Sequence, residues 1–185
     1  MSLTELIILA IGLAMDAFAV SLCGSMVLAP QHRTKGALNF GLWFGLFQGL
    51  MPLIGYFSAL HFTDYIVAYD HWIAFGLLAY LGINMIKEAG EEADVKESYS
   101  CKEMLVLALA TSIDALAVGI SLACLSTNIW LAAGLIGLIT FIIATFGGLM
   151  GFRLGSSLGQ RANIFGGFVL LCIGTKILLE HTGIL

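Results

Sequence analysis

Six apolar stretches, each close to the length that crosses a bilayer, take up most of this 185-residue chain. A segment surrounded by lipid must bond every backbone N–H and C=O internally. That restricts it to a helix of about 20 residues, or to a strand of a closed barrel. The stretches run from about Leu3 to Leu28, Gly36 to Leu60, Trp72 to Ala89, Met104 to Leu125, Ile129 to Phe152 and Ile164 to Glu180. Only 11% of residues are charged, mean hydropathy is +0.99, and globular domains carry about 25% charge. The expected fold class is therefore an all-α polytopic membrane protein with six transmembrane helices. The first stretch has no basic n-region, and its apolar run exceeds a signal-peptide core, so it should remain as a span. The formal charge of −4 and the lack of a basic stripe argue against a nucleic-acid partner. Cys23, Cys101, Cys124 and Cys172 form no CxxC pair; those inside spans are expected to act as small hydrophobes, without disulfide or metal roles.

The chain also repeats itself. Met15-Asp16-Ala17-Phe18-Ala19-Val20 returns as Ile113-Asp114-Ala115-Leu116-Ala117-Val118. Phe47-Gln48-Gly49-Leu50-Met51 lines up with Phe146-Gly147-Gly148-Leu149-Met150, and Leu81 to Glu88 lines up with Ile173 to Glu180. The order is the same in both halves. Residues 1–89 are thus expected to form one three-span repeat and 103–185 a second, joined by a hydrophilic connector at 90–102. Three is an odd number, so the second copy enters the membrane from the opposite side. That is the inverted arrangement found in many secondary transporters. Lys and Arg fall in or beside the first, third and fifth loops (Arg33, Lys35, Lys87, Lys96, Lys102, Arg153, Arg161). The positive-inside rule then puts both termini outside.

Within this frame the aspartates stand out. A carboxylate near the bilayer centre costs roughly 2.5–3.5 kcal/mol on the mildest scale, and such residues usually serve function. Asp16 and Asp114 are expected to face each other across one site. Two carboxylates offer hard anionic oxygen, which suits a divalent cation such as Mn²⁺, Mg²⁺ or Ca²⁺. Gln48 is the next metal-ligand candidate, one turn before Pro52, a residue that frees a backbone carbonyl; simple helix–helix hydrogen bonding is its alternative role. Ser21, Asn84, Thr111, Ser112, Ser121 and Thr145 are secondary candidates, with hydrogen bonding between helices as their alternative role. Lys176 lies mid-span where the other half has Asn84. It is expected either to pair with an aspartate when the site is empty or to snorkel to the boundary. Glycine ladders at 41, 45 and 49 and at 147, 151, 155 and 159 predict close helix contact. The acidic residues from Glu88 to Glu97 read as a solvated connector, with cation attraction as the alternative. His61, Asp64, Asp70 and His71 are weak candidates for receiving a released ion.

The paired motifs around Asp16 and Asp114, with Phe-Gln-Gly-Leu-Met-Pro-Leu-Ile-Gly at 47–55 and His-Trp-Ile-Ala-Phe at 71–75, resemble those of the bacterial manganese efflux pump family, MntP. The resemblance covers essentially the whole chain. It implies a six-span exporter of Mn²⁺ in the bacterial inner membrane, with Asp16 and Asp114 in the family's acidic positions. It also implies no cofactor, manganese being the transported substrate. The expected partners are a divalent metal ion and the lipid bilayer, with a homo-oligomer left open.

Two other classes compete with a cation exporter. An exporter of a small organic solute would need aromatic or larger polar side chains beside the aspartates, where this chain has Ala, Gly and Ser. An intramembrane aspartyl protease would use the two carboxylates as acid and base, but a Gly-x-Gly-Asp signature is absent. No GxxxxGK[ST] phosphate loop is present either, so nucleotide hydrolysis is not the expected energy source.

Overall fold

A computed structural model describes residues 2–29, 32–59, 99–124 and 128–158, with isolated positions between 79 and 86 and between 164 and 175. Five helices are defined: α1 (Leu3–Ser25), α2 (Arg33–Ala59), α3 (Cys101–Thr111), α4 (Ile113–Cys124) and α5 (Ile129–Leu158). The described residues are helical, without a strand element. Most of the third and sixth predicted spans, and with them Asn84 and Lys176, lie outside the described residues, as do His61, Asp64, Asp70 and His71. Residues 1–89 and 103–185 are not delimited as units by what is described.

Among the described residues, three helical stretches are long and apolar enough to cross a membrane: Leu3–Ser25, Thr34–Ala59 and Ile129–Leu154. A fourth candidate is a pair, Cys101–Thr111 and Ile113–Ala123, bent by 44°. The fourth predicted span is thus broken where the sequence suggests one continuous helix. The local cause is Ser112, whose backbone leaves the helical region (φ −112°, ψ 5°). Its Oγ donates to the Ala108 carbonyl at 2.7 Å, and its N–H turns to Leu109 O at 3.2 Å. A hydroxyl that competes for helix carbonyls in this way bends the helix carrying it. By contrast, α2 continues through Pro52.

Both α1 and α3 begin with a capping box. Ser2 Oγ accepts from Glu5 N–H while the Glu5 carboxylate accepts from Ser2 N–H, at 3.2 and 3.0 Å. Ser100 and Glu103 repeat the arrangement at 3.3 and 2.8 Å. Each box satisfies orphan donors of the first turn. Ser2 precedes Asp16 by 14 residues and Ser100 precedes Asp114 by 14, so the repeat extends back to the helix starts.

Packing gives the helices their directions. α5 runs alongside α1: Ile136 clusters with Ala10 and Leu13, Gly147 abuts Phe18 and Gly151 abuts Leu22. It runs against α2, with Gly148 on Ala37, Gly41 on Thr145 and Phe141, and Gly49 on Ala133 and Gly137. α4 follows α2 in the same direction, Gln48 lying near Asp114, Pro52 against Gly119, and Leu53 and Tyr56 in one cluster with Leu122. α1 and α4, which carry the two aspartate motifs, therefore run in opposite directions. The two glycine ladders face different partners. Gly41, Gly45 and Gly49 pack on α5, whereas Gly147 and Gly151 pack on α1; Gly159 lies outside the described residues.

The interior is built from small side chains and a few large ones. Ala17, Val20, Phe40, Phe44, Met104, Leu107 and Ala144 belong to one buried cluster. Tyr99 closes its end, edge-on to Phe40 at 5.3 Å and donating its hydroxyl to Gly24 O at 3.0 Å. The bulky apolar residues point the other way: Leu38, Leu42, Leu46, Leu50 and Ile54 on α2 are all exposed, as are Leu138, Ile142 and Phe146 on α5. Water would not tolerate such continuous faces, while lipid is as apolar as leucine and leaves small residues to bring helices together.

Candidate metal centre

Asp16 stands midway along α1, half-buried, beside the buried stripe of Leu13, Ala14 and Ala17. Asp114 is the second residue of α4, also half-buried, two positions past the break at Ser112. Ala115 N–H donates to Asp114 Oδ1 at 2.7 Å, so the carboxylate caps its own helix. Each carboxylate is close enough to act electrostatically on the other, and the Gln48 side chain lies close enough to influence Asp114. Three predicted site residues, from α1, α2 and α4, are thereby brought together.

Gln48 is fully buried. Its Nε2 donates to Leu13 O at 2.9 Å, tying α2 to α1 one turn from Asp16. Its Oε1 has no hydrogen-bond partner. Pro52, itself buried, has no N–H to offer the carbonyl four residues back, which is Gln48's own. Gly119 lets Pro52 sit against α4, since a Cβ there would meet the Pro52 carbonyl and come within 2.6 Å of its Cα. The α2–α4 contact that holds Gln48 near Asp114 thus depends on a residue without a side chain.

The secondary candidates divide. Thr111 donates its hydroxyl to Leu107 O at 3.0 Å and Ser112 to Ala108 O, so both hydroxyl protons are used within α3. Ser121 is exposed and donates to Ala117 O at 3.1 Å. Ser21 is fully buried, Thr145 is half-buried beside Gly41, and neither hydroxyl has a partner. Thr140 of α5, which sequence reasoning passed over, is fully buried with an equally unpartnered Oγ1. The available signal was simply a threonine inside an apolar run. The Leu13 carbonyl was missed as well, and nothing in a leucine's identity could have announced it.

Among the described residues no group of three or more His, Cys, Asp or Glu side chains could hold a metal. The arrangement instead offers two carboxylates supplemented by neutral oxygens. Such a set is hard and oxygen-only, and matches Mg²⁺, Ca²⁺ or Mn²⁺ better than thiolate-seeking ions.

Residues 31–178 match the family model described as "Putative manganese efflux pump". Proteins named "Putative manganese efflux pump MntP" are similar over nearly their whole length. The one from Mannheimia succiniciproducens is 46% identical, covering 98% of each chain. That of Ruminiclostridium cellulolyticum is 49% identical, over 98% of this chain and 97% of its own, and that of Acetivibrio thermocellus is 45% identical, over 100% and 94%. No solved structure matches. With apolar helices of spanning length and a family model covering most of its residues, the chain belongs to the manganese efflux pump family.

Proposed function

We propose that this membrane protein exports Mn²⁺ from the cytoplasm, as a transporter and not an enzyme, by alternating access around Asp16 and Asp114. The full architecture is six spans in two inverted three-helix repeats, 1–89 and 103–185. It lies in the bacterial inner membrane with both termini outside. The ion binds between the carboxylates and the Gln48 oxygen while the site is open to the cytoplasm. The two halves then rock about it, and it leaves on the other side. Moving a divalent ion out against the potential costs about 4.6 kcal/mol per 100 mV, at about 2.3 per charge. The same carboxylates supply the coupling by exchanging the metal for protons or sodium.

The observation that carries this reading is the convergence of two acids from matching motifs on oppositely directed helices, with one buried amide beside them. It is supported by the small-residue packing of α1 and α2 on α5, which suits rocking, and by the family's name. The test is Mn²⁺ uptake into inverted membrane vesicles. Asp16→Asn and Asp114→Asn are each expected to reduce it to background. Uptake at the native rate by either variant refutes the reading.

A further inference from the structure

The Gln48 amide nitrogen donates to the Leu13 carbonyl, which is an acceptor only, and the side chain lies beside Asp114, an acceptor when ionised. The amide oxygen is left fully buried without a hydrogen-bond partner. Buried amide oxygens are normally satisfied. A residue needed merely to fasten α2 to α1 would leave that oxygen as an unexplained penalty. The same residue's main-chain carbonyl is also without its helical donor, because Pro52 stands four positions on. The Leu13 carbonyl, the Asp114 carboxyl and the Gln48 side-chain oxygen are thus neighbours of one NH₂.

We infer that the Gln48 amide is an exchangeable occupant of the ion site. Its NH₂ gathers the Asp114 carboxylate and the Leu13 carbonyl in the ion-free protein, and its Oε1 joins the cation's ligands when the metal displaces that NH₂. This rests on the metal-site reading above and specifies the role of one residue in it. An arriving divalent cation satisfies every acceptor that the NH₂ was serving, and the orphaned oxygen as well. Rotation about the last side-chain torsion exchanges nitrogen for oxygen without moving the helix. The ion-free site is therefore not left as two bare carboxylates. The same N–H bond to Asp114 competes with the metal, which keeps the grip moderate and allows release, as a conducting site requires.

The experiment measures Mn²⁺ binding by the purified full chain in lipid nanodiscs, reading free Mn²⁺ by its paramagnetic resonance signal. Gln48→Glu keeps length and oxygens but removes both N–H donors; it is expected to bind Mn²⁺ at least tenfold tighter and to transport it more slowly. Gln48→Met keeps length and removes both functions; it is expected to bind at least tenfold weaker. If the two variants lose affinity together, or the methionine variant binds like the native protein, the exchange is overturned. A second measurement needs no variant. The chain has three glutamines, Gln31, Gln48 and Gln160. With ¹³C-labelled glutamine side chains, the infrared difference spectrum on adding Mn²⁺ should show one amide carbonyl band moving to lower frequency, and its absence overturns the inference. Asp16→Asn and Asp114→Asn run in the same binding assay separate the two levels. If they abolish binding while the Gln48 results fail, only the exchange falls. If they bind like the native protein, the site reading falls with it.

Discussion

Gly119→Ala isolates the contact on which the proposed site depends. The new Cβ would sit 2.6 Å from Pro52 Cα and against the Pro52 carbonyl, whereas ordinary contact begins near 3.4 Å. Both obstacles are backbone, so no side chain can swing aside. α2 and α4 must part by at least about 0.8 Å, the difference between those two distances. Overpacking of this kind costs about 1–3 kcal/mol, against a gain of about 1 kcal/mol from replacing a helical glycine. Gly12→Ala and Gly134→Ala are the controls, since nothing lies within 4 Å of a Cβ at either position; they should keep the whole gain. Gly119→Ala should therefore be about 1–3 kcal/mol less stable than the controls in denaturation from mixed detergent micelles. Parting the helices also moves Gln48 away from Asp114, its neighbour across the α2–α4 contact. Vesicle uptake of Mn²⁺ should fall for Gly119→Ala and stay native for the controls. Equal stability and uptake in all three would refute the close α2–α4 crossing.

Pro52→Ala restores an N–H that can bond the Gln48 carbonyl; helix stability should rise by about 1–2 kcal/mol, being about 3 from propensity less about 1.6 for two buried carbons. Mn²⁺ affinity, read by titration calorimetry, should drop. Tyr99→Phe removes the bond to Gly24 O while keeping the ring contact with Phe40, so unfolding should become easier by about 1 kcal/mol with uptake unaffected. Ser100→Ala deletes the cap of α3; the expected loss is about 1 kcal/mol, seen as faster amide exchange in the first turn of that helix.

Spans of lipid-crossing length could be read from residue order because lipid permits so few solutions, and α1, α2 and α5 lie where the apolar runs do. Asp16, Gln48 and Asp114 could be singled out too, since polar groups scarce in an apolar background have few reasons to be there. The capping boxes at Ser2 and Ser100 were equally visible as Ser-x-x-Glu. The bend at Ser112 was not. Serine is neutral enough to sit inside a helix, and only its choice of Ala108 O over a continued helix, a small difference in free energy, produces the break. Nor could composition say which hydroxyls are spent. Thr111 and Ser112 bond back to their own helix while Ser21, Thr140 and Thr145 do not, and that depends on which neighbour each meets after packing.

The bend has an electrical consequence. Asp16 lies deep within a continuous helix, where peptide dipoles cancel head to tail, but Asp114 occupies a helix start, where roughly half a positive elementary charge gathers. Two acids that share a sequence context are therefore unequal in effective charge. A metal ion seated between them would be drawn off-centre, toward α1, and would part from α1 and α4 on different terms.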